Sequence, residues 1–257
     1  MVNKIGWTTC TLNLFGGCTK VSDGCSRCYA ERMAVRLSAN PLTPQYSYTI
    51  SNGHWTGKVW MDTEEQIRVK FAKLGRKKKP MVVFLGSMGD LFHPEIPADF
   101  IMEIFELMSV FKQHHYVILT KRPDRLLKVT GGLLEDDYLS NVFIGVSVEN
   151  QATADERIPP LIEFKDRSNG MWKVGISAEP LLGQVDLWRY GHKLDWVLAG
   201  SETGHGARPA KVEWFEKLAC QCVLSGAWFY LKQMGNRQHQ DRILYDQEWN
   251  ATAWGWK

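Results

Sequence analysis

No run of residues in this 257-residue chain is long and apolar enough to span a membrane. Met1 to Thr8 hold no extended apolar stretch, so a signal peptide is not expected and a soluble, cytoplasmic protein is. Excess charge of one sign is also scarce. The 31 Lys and Arg residues nearly balance 28 Asp and Glu, for a net charge of +3. Dedicated nucleic-acid binders carry a stronger basic bias. The one dense basic run, Arg76-Lys77-Lys78-Lys79, reads first as a solvated loop before a strand and second as a phosphate-contacting patch. There is no internal repeat, no low-complexity tail and no sign of a second domain, so residues 1–257 are read as one domain. Cysteines number only six, and in a reducing compartment they are expected as ligands or free thiols rather than disulfides.

Hydrophobic residues make up 44% of the chain, enough for a sizeable core, and 11 tryptophans supply large core or pocket walls. Six short apolar runs stand out: Met81–Leu85, Tyr116–Leu119, Val142–Val146, Trp172–Ile176, Trp196–Ala199 and Trp228–Leu231. Near-continuous apolar strands of this length fit a parallel sheet covered on both faces. Helical periods lie between them. Ile101, Ile104, Phe105, Met108 and Phe111 share one face over residues 98–112, as do Val212, Phe215, Leu218, Ala219 and Cys222 over 211–224. Pro159 and Pro160 are expected to kink or restart the helix over 153–164. The fold class is therefore α/β.

Each apolar run ends in small, charged or hydroxyl residues. Active sites of barrels and open α/β sheets lie beyond the C-terminal ends of the strands. Asp90, Lys121, Glu149, Glu179, Glu202 and Lys232 are thus expected to ring one mouth, against the plainer reading that they cap helices or solvate loops. Residues 37–60 show no helical period and read as a long insertion or lid.

The chemistry-bearing constellation is Cys18, Cys25 and Cys28, set in a glycine-containing loop. Two intervening residues let Cys25 and Cys28 face one metal centre, and Cys18 can close on it. Thiolates suit iron–sulfur clusters or zinc. Spacing alone favours iron–sulfur, with zinc second, its fourth ligand coming from Cys10 or His54, and unrelated thiols third. Three cysteines on a four-iron cluster would leave one iron open to an exchangeable ligand. Cys10 reads mainly as a strand or core thiol. Cys220 and Cys222 lie two apart on a helix and so do not share a face.

The blocks Gly17-Cys18-Thr19-Lys20-Val21-Ser22, Gly24-Cys25 and Cys28-Tyr29-Ala30-Glu31-Arg32-Met33 begin a longer series. It continues through Ser87-Met88-Gly89-Asp90-Leu91-Phe92-His93, Leu119-Thr120-Lys121-Arg122-Pro123 and Gly145-Val146-Ser147-Val148-Glu149-Asn150. Ala154 to Pro159, Glu179 to Gly183, Gly200 to Gly204 with Ala207-Arg208-Pro209, and Lys232-Gln233 complete it. In these blocks the chain resembles the phage Gp37/Gp68 protein family, a radical S-adenosylmethionine (SAM)-like group. The resemblance implies a radical-SAM-type partial TIM barrel of about six parallel strands with outer helices. It implies a [4Fe-4S] cluster on Cys18, Cys25 and Cys28, and S-adenosyl-L-methionine as cosubstrate. The cysteine gaps here are six and two residues, where radical SAM enzymes often have three and two. Arg27 precedes the last cysteine, where an aromatic residue is common, and Tyr29 follows it.

By the same resemblance, Ser87, Met88, Gly89 and Asp90 are expected to hold the SAM amino group, and Lys121 or Arg122 its carboxylate. Ser147 and Glu149 are assigned to the ribose. Glu179, Glu202, Arg208 and Lys232 are candidates for adenosine or substrate, with Glu202, Arg208 and Lys232 set at the reacting end. Structural salt bridges are the rival use of each. Arg157 and Asp155 are expected to fix the barrel rim, and His93 to be a hydrogen-bonded wall residue. The implied reaction runs from cluster reduction by an external donor such as flavodoxin or ferredoxin, through SAM cleavage, to hydrogen abstraction from the substrate. Phage occurrence points to a modified DNA base or a nucleotide as substrate, with a peptide or a small metabolite as the open alternatives, acted on in the host cytoplasm if the gene is phage-borne. A duplex base would have to flip to reach the mouth. The rival class is a zinc-stabilised nucleic-acid-binding module without catalysis.

Overall fold

The computed structural model describes residues 6–130, 139–235 and 237–238. Its centre is one curled sheet in which seven parallel strands run in sequence order: β1 (Cys10–Leu12), β2 (Val82–Leu85), β3 (His115–Thr120), β4 (Val142–Ser147), β5 (Lys173–Ala178), β6 (Trp196–Gly200) and β7 (Trp228–Met234). Arg237–Gln238 adds a short antiparallel pair at the β7 edge. Every strand follows its spatial neighbour, which is the winding of an open half-barrel. The expected radical-SAM-type partial barrel is the fold observed. All six apolar runs become strands. The seventh, β1, carries too few apolar residues to announce itself, and only its pairing with β2, Cys10 against Val83, reveals it.

Strands β2 to β7 are buried along nearly their whole length because helices cover the outer face, while β1 at the sheet's edge is only partly covered. The helices are α1 (Tyr29–Ser38), α2 (Glu64–Gly75), α3 (Ala98–Val110), α4 (Pro123–Val129), α5 (Gln151–Arg167) and α6 (Val212–Ser225). On α3, Ile101, Ile104, Phe105 and Met108 are buried as the period predicts, while Phe111 lies just past the helix at its C-cap. On α6, Phe215, Leu218, Ala219 and Cys222 are buried, whereas Val212 is exposed in the first turn. The helix α5 runs on through Pro159 and Pro160, without the restart that the sequence allowed for. Asp155 and Glu156, whose carbonyls lose their helical donors to the two prolines, are exposed residues, so the loss falls on the solvent side of the helix rather than against the sheet. An Asn150–Thr153 capping box starts the helix, and Ile158, Leu161 and Phe164 anchor it on the sheet.

Residues 37–60 fold back on α1. A hairpin pairs Ile50–Ser51 with His54–Trp55, and Trp60–Met61 pairs antiparallel with Phe15–Gly16. Tyr46 meets Trp60 edge to face at 5.5 Å, and these rings join Ala30, Ala34 and Met88 in a second, smaller core. Arg76 to Lys79 form an exposed turn leading to β2, as the solvated-loop reading expects.

Candidate active site

The loop after β1 crosses the C-terminal mouth of the sheet and delivers the three cysteines there. Gly17 makes this possible. Its φ of +101° is a left-handed conformation, and a Cβ there would lie 2.3 Å from the Lys58 carbonyl oxygen. Backbone contacts then tie the loop to the turn after β2: the Gly17 N–H donates to Met88 O at 3.1 Å, and Gly17 bridges Gly89. Cys25 ends a short 3-10 turn, and Cys28 is the N-cap residue of α1. All three cysteines are free and partly buried. Among the described residues, no group of three or more His, Cys, Asp and Glu side chains is placed to hold a metal ion.

Two charged assemblies grip this loop. The first surrounds Asp90, whose buried carboxylate accepts from the Phe92 N–H at 3.0 Å, the Thr120 hydroxyl at 2.7 Å, the Lys121 N–H at 3.0 Å and Arg122 Nη1 at 2.7 Å. Arg122 also donates through Nη2 to Thr19 Oγ1 at 2.8 Å and to the Thr19 carbonyl at 3.1 Å. His93 closes the set. Its Nδ1 accepts from the Glu95 N–H at 3.3 Å, so in the neutral ring Nε2 is the donor to Thr19 Oγ1 at 3.1 Å. Burial and the nearby Arg122 charge hold the His93 pKa below its ordinary value. It is the wall histidine the sequence suggests.

The second assembly centres on Glu149, which is fully buried. It accepts from Lys121, from Arg157 Nη1 at 3.2 Å and from Ser22 Oγ at 2.7 Å. Arg157 also donates to the Ser147 carbonyl at 2.7 Å, which places it on the rim as expected. The loop presses directly on this carboxylate, since a Cβ on Gly24 would lie 2.5 Å from Glu149 Cγ. Burial alone would raise the Glu149 pKa, but Lys121, Arg157 and Ser22 outweigh it and hold the carboxyl below its usual range.

The far side of the mouth is also paired. Arg208 forks onto Glu202 through Nε at 3.0 Å and Nη2 at 2.5 Å, and its Nη2 reaches the Asp23 carbonyl in the cysteine loop at 3.0 Å. These hydrogen bonds from Arg208 hold the Glu202 pKa down. Lys232 Nζ and Gln233 Nε2 both donate to Glu179 Oε1, at 2.5 and 2.9 Å. Arg32 donates to the Thr203 carbonyl at 3.1 Å, and Tyr29 to the Ser87 carbonyl at 2.5 Å. Ser87 Oγ itself donates to Asn13 Oδ1 at 3.1 Å.

The six expected strand-end residues therefore all reach the mouth, and each is engaged in an ion pair. Sequence reading gave no role to Thr19, Ser22 and Asp23, which tie the cysteine loop to Arg122, Glu149 and Arg208, nor to Thr120, which fixes Asp90, or Arg32, which holds the Thr203 carbonyl. Short polar residues in loops carry no periodic signal. Two thiols have distinct environments. Burial and the Asp90 charge push Cys18 up to about 12, with Arg122 opposing. At Cys25, burial is outweighed by the Lys121 charge and by hydrogen bonds from Val21 and Ser22, and its pKa falls. Cys10 is a strand thiol in β1. Cys222 is buried and Cys220 exposed, so the two do not act together.

A curled parallel half-barrel whose first loop lays three cysteines across the mouth defines a protein of the radical-SAM-type partial-barrel class by fold. The chain belongs to the family described as protein of unknown function (DUF5131), whose family model matches residues 2–254. No curated protein matches the sequence. Solved structures with the same fold include a variant of spore photoproduct lyase with bound AdoMet and dinucleoside spore photoproduct, at TM-score 0.52 and 10% identity. That match covers 85% of this chain and 75% of the other. A second spore photoproduct lyase variant, with dinucleoside spore photoproduct, matches at TM-score 0.51 and 10% identity over the same shares. Among the described residues no helix is long and apolar enough to cross a membrane.

Proposed function

We propose that this protein is a radical SAM enzyme, with Cys18, Cys25 and Cys28 holding a [4Fe-4S] cluster at the mouth of the half-barrel. The observation that carries this reading is the placement of three free thiols on the loop after the first strand, gripped by charged residues from the strand ends. A cluster puts each thiolate on a different iron, so its ligands face a common volume rather than a common point. A structural zinc site takes four protein ligands, and this loop supplies three cysteines. The donor set is soft and lacks a fourth cysteine in the loop, as an open iron requires. When bound, cluster and SAM together supply a hydrogen-abstracting radical.

The remaining residues bind, orient and shield. The Ser87–Asp90 turn, Lys121, Ser147, Glu149 and Glu179 form the wall assigned to SAM, and Glu202, Arg208 and Lys232 are assigned to the reacting end. Of the two cations expected at the SAM carboxylate, Lys121 is kept, because Arg122 is engaged by Asp90 and Thr19. Ion pairing across adjacent strand ends holds these groups in place before any ligand arrives. The fold shared with spore photoproduct lyase structures that hold a dinucleoside supports a nucleotide or DNA base as the substrate class, with a modified phage base as the specific candidate. A flavodoxin or ferredoxin would supply the electron. The resemblance to the phage Gp37/Gp68 family points the same way.

Anaerobic purification with cluster reconstitution tests the reading. A brown protein with broad absorption near ~400 nm and several irons per chain is expected. Replacing any one of Cys18, Cys25 and Cys28 by alanine should abolish SAM cleavage. A colourless wild-type protein, iron-free after reconstitution, refutes the proposal.

A further inference from the structure

Arg122 is held more tightly than a residue waiting for a diffusible ligand. Its side chain is only 11% exposed. Asp90 fixes Nη1 at 2.7 Å and Thr19 fixes Nη2 at 2.8 Å, while Asp90 is itself locked by the Phe92 N–H, the Thr120 hydroxyl and the Lys121 N–H. The planar guanidinium therefore has one orientation. In it, Nη1 lies 3.9 Å and Nη2 4.0 Å from the sulfur of Cys18, so both nitrogens address one thiol. Lys121, the neighbouring cation, is turned the other way onto Glu149 and Ser22.

We infer that Arg122 is a positioning residue for Cys18, holding its sulfur toward the cluster volume and raising the cluster's reduction potential by setting a fixed positive fork on one ligand. This inference rests on the cluster reading above. Physically, reduction adds negative charge to the cluster and its thiolates. Hydrogen bonds to the ligand sulfurs and nearby net charge set how easily that charge is accepted. At Cys18 the Asp90 charge acts more strongly than the Arg122 charge, so what Arg122 adds is to counter that carboxylate and to present the N–H groups that Asp90 and Thr19 aim. Arginine suits the task because its fork spans Asp90, Thr19 and Cys18 at once. A lysine ammonium is a single point charge and cannot.

The test uses the full-length chain, reconstituted anaerobically with iron and sulfide, with iron counted per chain and the midpoint potential read by EPR-monitored titration with dithionite. Arg122→Gln should keep its iron yet need a more negative potential. The reduced-to-oxidised ratio at a fixed potential should fall about tenfold, about 59 mV for a one-electron couple. Arg122→Lys should show a smaller shift in the same direction, because it keeps charge and loses the fork. A role limited to folding would lower iron content in both variants and leave the midpoint of the loaded fraction unmoved. A midpoint equal to wild type in both loaded variants overturns the inference while leaving the cluster reading intact. If Arg122→Gln holds no iron, Arg122→Lys decides alone, and a wild-type midpoint there overturns it. An iron-free wild type overturns the cluster reading first and this inference with it.

Discussion

Glu149 shows how much a single residue holds at this site. It is fully buried, and Lys121, Arg157 and Ser22 all converge on it. A buried charge set of this kind contributes little net stability, but removing one partner leaves the others uncompensated. Glu149→Gln is expected to cost about 3–5 kcal/mol, measured by urea unfolding of the metal-free protein. The variant should also change the acid response. The folded-state pKa of Glu149 is depressed, so its contribution is present above the ordinary carboxylate value of about 4.3. It is lost as pH falls through the lower folded value. As pH drops below about 4.3, wild-type urea midpoints should therefore fall more steeply than those of Glu149→Gln. Parallel slopes would contradict this assignment.

Within the sheet, the glycines of β4 and β5 serve packing. A Cβ on Gly145 would lie 2.2 Å from the Trp196 ring, and one on Gly175 would lie 2.2 Å from the same ring and from the Trp196 carbonyl. The fully buried Trp196 lies across two neighbouring strands, and only glycine leaves it room. From sequence, Gly145 reads as a site of close cofactor approach or a tight turn. Neither reading foresees a ring from β6 filling the space. Overpacking costs about 1–3 kcal/mol, and here part of the obstacle is backbone that cannot move aside. Gly175→Ala is expected at or above the upper end of that range, seen as a Tm lowered by several degrees. Gly204 differs, since its φ of +98° lets the loop after β6 turn beside Arg32.

Across the whole molecule, the cysteine loop joins two ends of the chain. It leaves β1, yet its grip includes Arg208 on the loop after β6, whose Nη2 holds the Asp23 carbonyl. Arg208→Ala should remove that clasp and leave the buried Glu202 carboxylate unpaired, at a cost of about 1–3 kcal/mol. Its specific signature is faster loss of iron to a chelator from the reconstituted protein, beyond any change in Tm. Equal chelation rates in variant and wild type would show that the clasp does not secure the loop.

Six of the seven parallel strands were legible because continuous apolar runs mark strands buried on both faces. The mouth residues were legible because each run ends in a charge. The three cysteines stood out by type and spacing. What stayed hidden was pairing. Asp90 with Arg122, Lys121 with Glu149, and Glu179 with Lys232 link neighbouring or near-neighbouring strand ends far apart in sequence. The helix through Pro159 and Pro160 was hidden for a related reason, since Asp155 and Glu156, whose carbonyls lose their helical donors, sit on a face whose exposure only the packed fold decides.

The amino-acid sequence by itself determined the α/β class, the succession of apolar strands and helices along the chain and which residues could carry chemistry, because period and composition are local properties of the chain. Only the tertiary structure decided that these charges neutralise one another in pairs and that Arg122 faces Cys18. Partners in a folded mouth are chosen by distance in space, and a parallel half-barrel brings strand ends together irrespective of their separation along the chain.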